Sequence, residues 1–234
     1  MKIIESQKLI DFYYEKYNLS DVFSNSMKPY IKLFMYDRKE HICTEHQKLD
    51  YIFLLVKGST KVYTTLSNGR SLLMCFCTPI NLFGELELVN ATAKPSNVQV
   101  LEKSHCLGIH LKDVRENLLS DVKFLRYIGT SLGKKLDRFS VNSSINLLCE
   151  LENRLASYLL ATAMEVKRGN TTALVFDENL THTAELLGAS YRHLLRVLGT
   201  FCRCGFLVKK DKFYEIADRK ALKELATDLY RKFD

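Results

Sequence analysis

The sequence predicts an α+β chain in three successive parts: a small β barrel or sandwich, a long amphipathic helix, and a compact C-terminal helical module closed by a hairpin. Three observations carry this. In the first half, short apolar runs are separated by turn residues at roughly the 8 to 12 residue spacing of small all-β domains. Beyond His110 the apolar spacing switches to three and four, the period of a helix. Past residue 180, a small residue, a glycine and a basic helical face fall close together.

The composition suits such an architecture. At roughly 150 residues per domain, 234 residues make one large or two modest domains. With 47% hydrophobic and 26% charged residues, ten Gly and three Pro, disordered and collagen-like classes are excluded. The longest apolar runs, Tyr51 to Val56 and Leu72 to Cys77, are six residues each, against roughly 18 for a membrane span. Charges recur through Lys2 to Tyr17, which leaves no apolar core for a secretory signal and predicts a cytoplasmic protein with no membrane partner. Seven scattered Cys, an odd number, fit a reducing compartment.

Tyr51 to Val56, bounded by Asp50 and Gly58, reads as a strand buried on both faces. Ser59 to Leu66 and Leu72 to Cys77 flank Asn68-Gly69, a hairpin signal for a type I′ turn in which both residues take positive φ. Val98 to Glu102 and His105 to His110 complete the strand candidates. Leu118, Val122, Leu125, Ile128, Leu132, Leu136 and Phe139 then mark one long helix, in a chain with no Pro after Pro95. Its narrow stripe at Leu125, Ile128, Leu132, Leu136 and Phe139 predicts pairing with a symmetry mate. A second helix is expected from Leu147 to Lys167, ending at Arg168-Gly169-Asn170.

The C-terminal module carries the clearest signal. Ala184, four residues before Gly188, supplies the small residue where two helices cross, and Gly188 the turn between them. Ser190 is a good N-cap for the second helix. That helix presents Tyr191, Arg192 and Arg196 outward, with Leu194, Leu195, Val197 and Leu198 expected to face in. Gly205 sits at its C-cap, and Phe206 to Ile216 reads as strand, polar turn and strand. Between Thr181 and Lys212 stand six basic residues against two acidic ones, a local excess of four within the net charge of +7. This is the pattern of a winged helix-turn-helix for double-stranded DNA. Arg192 and Arg196 can each bond a guanine edge, Tyr191 a base or a phosphate, and Lys209, Lys210 and Lys212 phosphates; Thr181 and Ser190 complete the contact surface. An amphipathic stretch from Ala221 to Phe233 is expected to pack on this module.

Taken as a whole, the chain resembles the CRP/FNR superfamily of bacterial transcription regulators. Tyr51-Ile-Phe-Leu-Leu-Val-Lys-Gly-Ser with Asn68-Gly69, Phe83-Gly84-Glu85-Leu86, and Gly188 to Leu198 carry the resemblance, which spans about Lys28 to Ile216. The last block, with Glu152-Asn-Arg-Leu-Ala and Phe83-Gly-Glu-Leu-Glu-Leu, is similar in particular to the YeiL-like branch. The resemblance implies a jelly-roll barrel like that of cyclic-nucleotide-binding domains at 1–112, a dimerisation helix at 113–146 and a winged helix-turn-helix at 147–234. It also implies a homodimer on a pseudo-palindromic operator, with RNA polymerase as a further partner and an unknown small-molecule effector. The effector pocket would comprise Gly84, Glu85, Leu86, Lys94 and Ser96. In nucleotide-binding members the Gly-Glu pair holds the ribose and a later Arg-Ser or Arg-Thr pair the phosphate. Here that later position reads Lys94-Pro95-Ser96, and Pro supplies neither charge nor N–H, so weak cAMP binding is expected. The recognition helix also departs from the family: Ser-Arg-Glu becomes Ser190-Tyr191-Arg192, which removes an acceptor for a cytosine amino group.

Two other classes fit the residues less well. A cupin-type metal enzyme would need a His-x-His pair, and none occurs. No catalytic or metal-ligand set is expected, and no cofactor: Cys75-Phe-Cys77, Cys202-Arg-Cys204 and His41-Ile-Cys43-Thr-Glu45-His46 match no strong metal spacing, and no Cys precedes Cys43 as an iron-sulfur member would require. A ligand-binding module without DNA activity is the third class, and removal of Arg192 and Arg196 discriminates it.

Overall fold

The computed structural model describes residues 1–90, 96–169 and 171–226. The chain divides into two compact units, the first comprising Met1–Val62 and Phe76–Phe139, the second Tyr63–Cys75 and the described residues from Ser140 to Ala226.

The chain opens with β1 (Lys2–Ile4) and α1 (Gln7–Lys16), followed by β2 (Ile31–Tyr36), β3 (His41–Cys43), β4 (Tyr51–Lys57), β5 (Thr60–Thr65), β6 (Ser71–Cys77) and β7 (Asn81–Phe83). A short α2 (Glu85–Val89) precedes β8 (Asn97–Val100), β9 (Ser104–His110), α3 (Leu111–Asn117) and α4 (Val122–Leu148). The strands form two jelly-roll sheets, one ordered β1-β2-β9-β4-β7 and the other β3-β8-β5-β6. The continuous apolar run in β4 is explained by burial on both faces. Ile52, Leu54 and Val56 pack with Ile31, Leu33, Leu107 and Ile109 under α1, α3 and α4, whereas Phe53 meets Phe34 edge-on at 5.2 Å and Tyr36 at 6.3 Å on the opposite face.

The β5–β6 turn differs from the type I′ expectation. Gly69 N–H donates to the Leu66 carbonyl at 2.8 Å, so Ser67 and Asn68 form the centre of the turn. Gly69 alone has positive φ, +80°, and Asn68 does not. The longer loop is built on a type I-like turn, in which only the last residue need be left-handed. The long helix expected from Leu118 begins only at Val122, and Leu118 caps the separate α3. Asp121 starts α4 afresh, its Oδ1 accepting from the Lys123 and Phe124 amides at 2.9 and 3.3 Å, an N-cap geometry.

The second unit contains α5 (Leu151–Thr162), β10 (Met164–Arg168), β11 (Thr171–Phe176), α6 (Leu180–Leu186), α7 (Tyr191–Arg203), β12 (Leu207–Lys209), β13 (Tyr214–Ile216) and α8 (Arg219–Ala226). The helix expected to reach Lys167 therefore ends at Thr162. Met164-Glu-Val-Lys-Arg alternates apolar and polar residues and pairs with β11 from Met164–Val175 to Arg168–Thr171, and Gly169 is the hairpin turn, φ +59°, rather than a helix cap. The two-stranded wing thus belongs to a four-stranded sheet, β10-β11-β13-β12. α8 packs on α5, with Asn153 Nδ2 donating to the Leu225 carbonyl at 2.7 Å; Leu229, Tyr230 and Phe233 lie outside the described residues. The β5–β6 hairpin tip is held in this unit by Asn146, which donates to the Leu73 carbonyl at 3.2 Å, and by Tyr63, edge-on to His182 at 5.5 Å.

Candidate nucleic-acid interface and ligand cradle

The helix-turn-helix is assembled from local signals. Asn179 caps α6 by accepting from the His182 amide at 2.9 Å. Gly188 turns the chain at φ +61°, where an L side chain would be strained. Ser190 caps α7, its Oγ accepting from the His193 amide at 3.2 Å. Ala184 is 2% exposed at the helix crossing. Arg154 on α5 donates to the Leu187 carbonyl, fastening the turn.

α7 divides sharply into two faces. Leu194, Val197, Leu198 and Phe201 are at most 2% exposed, the i, i+3, i+4, i+7 pattern of a packed stripe. Tyr191, Arg192 and Arg196 are exposed on the other side, as are Ser190 and Thr181. Neither guanidinium has a hydrogen-bond or ion-pair partner among the described residues. One expectation is corrected: Leu195 does not face in but is 37% exposed. Four residues after Tyr191 and three after Arg192, it belongs to the outer stripe. Lys210 and Lys212 are exposed in the β12–β13 turn and Lys209 at the end of β12, so the wing adds three cations beside the helix.

The proposed effector residues are partly brought together. Gly84 precedes α2 at φ +100°, and a Cβ there would stand 2.6 Å from Leu49 Cδ2, so glycine is required on both counts. Glu85 is 1% exposed. Its Oε1 is paired with the ammonium of Lys135 on α4, and its Oε2 is buried with no hydrogen-bond partner. Lys135 also donates to the Leu82 carbonyl at 2.6 Å and lies 5.4 Å from the centre of the Phe83 ring. Burial, and then the Glu85 charge, push the Tyr127 phenol up to about 12; burial likewise raises the Glu87 carboxyl and the Cys43 thiol. Leu86 is 45% exposed and forms no enclosed wall; Ser96 is half-buried, and Lys94 lies outside the described residues.

Sequence reasoning missed Lys135. It falls seven residues after Ile128, on the inner stripe of α4, and a charge at an inward helical position was the available signal. One residue expected on the pairing stripe lies elsewhere: Ile128 is 3% exposed and packs in its own core with Phe124. Leu125 and Leu136 are 42% and 70% exposed, Leu132 and Phe139 half-buried, and Gly129 takes the place of Ile128 on the outer stripe.

Among the described residues no group of three or more His, Cys, Asp or Glu is placed to hold a metal ion, and no helix is long and apolar enough to cross a membrane. Cys43, Cys75, Cys77 and Cys106 are buried and form no disulfide.

Comparison with known proteins agrees with this geometry. The chain matches the cyclic nucleotide-binding domain family over residues 33–121 and the Crp-like helix-turn-helix domain over residues 153–225. It is 35% identical to the regulatory protein YeiL of Escherichia coli O157:H7, across 89% of this chain and 92% of that protein. It is 20% identical to the CRP-like cAMP-activated global transcriptional regulator of Mycobacterium tuberculosis, across 80% and 84%. Among solved structures, a Crp/Fnr-family regulator from Eubacterium rectale superposes with TM-score 0.72 at 13% identity, covering 92% of this chain and 99% of that one. A CRP-family regulator from Thermus thermophilus gives 0.65 at 18% identity, covering 86% and 100%.

Proposed function

Since the chain belongs to the CRP/FNR family of transcription regulators, we propose that it acts in the cytoplasm as a homodimer. Each protomer's α7 enters the major groove of one half of a pseudo-palindromic operator, and a signal received in the N-terminal sheets reorients the two reading helices. The observation that carries this reading is the division of α7: one face buried to a few per cent, the other offering Tyr191, Arg192 and Arg196 with no intramolecular partner for either guanidinium among the described residues. Arg192 and Arg196 read guanine edges, while Lys209, Lys210 and Lys212 neutralise phosphates. Binding-site selection tests the reading: enrichment of paired inverted half-sites supports it, and recovery of unpatterned sequence contradicts it.

Pairing is assigned to the outer stripe of α4, Leu125, Gly129, Leu132, Leu136 and Phe139. These positions keep the heptad spacing of a coiled-coil seam, and Gly129 permits close approach of the partner helix. The sensor is assigned to residues 1–112, the pairing helix to 113–146 and the DNA-binding module to 147–234.

The effector is assigned to a class other than cAMP, although a relative at 20% identity is a cAMP-activated regulator. The carboxylate that would meet a ribose is engaged by Lys135, and the phosphate-binding Arg is replaced by Pro95. Calorimetry with cAMP is expected to give no binding in the micromolar range; a micromolar affinity would overturn the assignment.

A further inference from the structure

We infer that Leu195 reads the C5-methyl group of a thymine in each operator half-site, next to the guanine read by Arg192 or Arg196. The inference rests on the DNA-reading role proposed for α7 and specifies what that surface recognises. A single exposed leucine is ordinary on a protein surface; its neighbours single this one out. Side chains three and four apart share a helix face, so Leu195 stands beside Arg192 and Tyr191 and next to Arg196 on the exposed side. At 37% exposure it is set apart from Leu194, Val197 and Leu198, all at most 1% exposed, and contributes little to the packed stripe. A polar residue there would therefore cost the fold little.

The reading face is consequently two strips. Arg192 and Arg196 are one turn apart and suit the acceptor pair of guanine, whereas Tyr191 and Leu195, also one turn apart, offer an apolar strip. In the major groove the only apolar group that distinguishes one base pair from the others is the thymine methyl. A neighbouring glycine supports close docking of this face. Gly199 lies one turn beyond Leu195, and a Cβ built on it would meet nothing nearer than Arg203 Nη1 at 3.8 Å. The fold does not demand glycine at that position, and glycine weakens a helix interior; its absent side chain lets the duplex approach near Leu195. The base order expected is a thymine within about two base pairs of a guanine in each half-site, given the roughly one-turn reach of these side chains.

The test uses the full-length protein on its selected operator. Each thymine is replaced in turn by uracil, symmetrically in both half-sites, which removes the methyl group and leaves base pairing intact. Affinity is read by fluorescence anisotropy. One symmetric pair of thymines is expected to be methyl-sensitive, at about fourfold per methyl and roughly 15-fold for the pair, the scale of one buried carbon each. In Leu195→Ala the thymine and uracil operators should bind equally, while Leu195→Val retains part of the difference. Thermal melting identical to wild type confirms that the variants are folded. If no thymine is methyl-sensitive, or if the sensitive thymine stays equally sensitive in Leu195→Ala, the inference is overturned while DNA reading by α7 stands. If wild type selects no sequence, or Arg192→Ala with Arg196→Ala leaves affinity unchanged, the DNA-reading role itself falls.

Discussion

Replacing Lys135 with Met isolates the buried pair in the ligand cradle. Glu85 is 1% exposed and its Oε2 has no hydrogen-bond partner, so Lys135 is the charge partner of its carboxylate. The substitution keeps the aliphatic volume against Phe83 but leaves an uncompensated buried carboxylate, which costs about 3–5 kcal/mol. At a urea slope near 2 kcal/mol/M, the unfolding midpoint should fall by roughly 1.5–2.5 M. Glu85→Gln should cost less, about 1–2 kcal/mol, because the Lys135 side chain is 17% exposed and keeps its bond to the Leu82 carbonyl. Combining both changes removes the charges together and should bring stability to within about 1 kcal/mol of wild type. The assay is urea unfolding of all four proteins at one protein concentration, because the proposed dimerisation would be linked to folding. A cost below about 1 kcal/mol for Lys135→Met, or a double variant as unstable as the sum of the singles, would refute the pairing argument.

Three further outcomes are expected. Burial would raise the Asp121 carboxyl, but bonds from the Ser24 amide and hydroxyl and from the Phe124 and Lys123 amides hold it below its usual value; its stabilising effect is present above the unfolded value near 4 and is lost as pH falls through the lower folded one. Asp121→Ala should cost about 1–2 kcal/mol at neutral pH by urea unfolding, as for lost helix caps. His105 is held below its ordinary value of about 6.5, first by burial and then by Lys57 and Lys103. The unfolded chain therefore binds the extra proton first, so stability should drop as pH falls below about 6.5, and His105→Gln should flatten that slope. Leu136→Glu should yield a folded monomer by sedimentation, because Leu136 is 70% exposed in the protomer, whereas Ile128→Glu should unfold the sensor.

The legible parts of the sequence were those in which one period or one special residue decides the structure. β4, β5, β6, β8 and β9 stand where apolar runs and turns place them, and the α6–Gly188–α7 unit follows from Ala184, Gly188, Ser190 and Gly205. Less legible were elements decided by competing local signals. Leu118 and Val122 keep helical spacing across the break at Asp121, whose side-chain cap outweighs periodicity. Met164 to Arg168 is too short to separate strand from helix by pattern alone, and only pairing with Thr171–Val175 decides it. A one-residue rotation moved Ile128 inward and Leu195 outward, an ambiguity that adjacent apolar residues on a helix always leave. Lys135 could not be paired with Glu85 across 50 residues of sequence without the fold that brings α4 under the cradle.

The most direct test of the account is the salt dependence of operator binding for wild type and for Arg192→Ala/Arg196→Ala. Loss of two guanine contacts should weaken binding to the selected operator by about 2–6 kcal/mol and leave little preference over random DNA. Affinity for random DNA, assigned in the proposal to Lys209, Lys210 and Lys212, should persist with a steep logarithmic salt slope. If the double variant retains wild-type affinity and preference, α7 does not read the operator and the account of this protein fails.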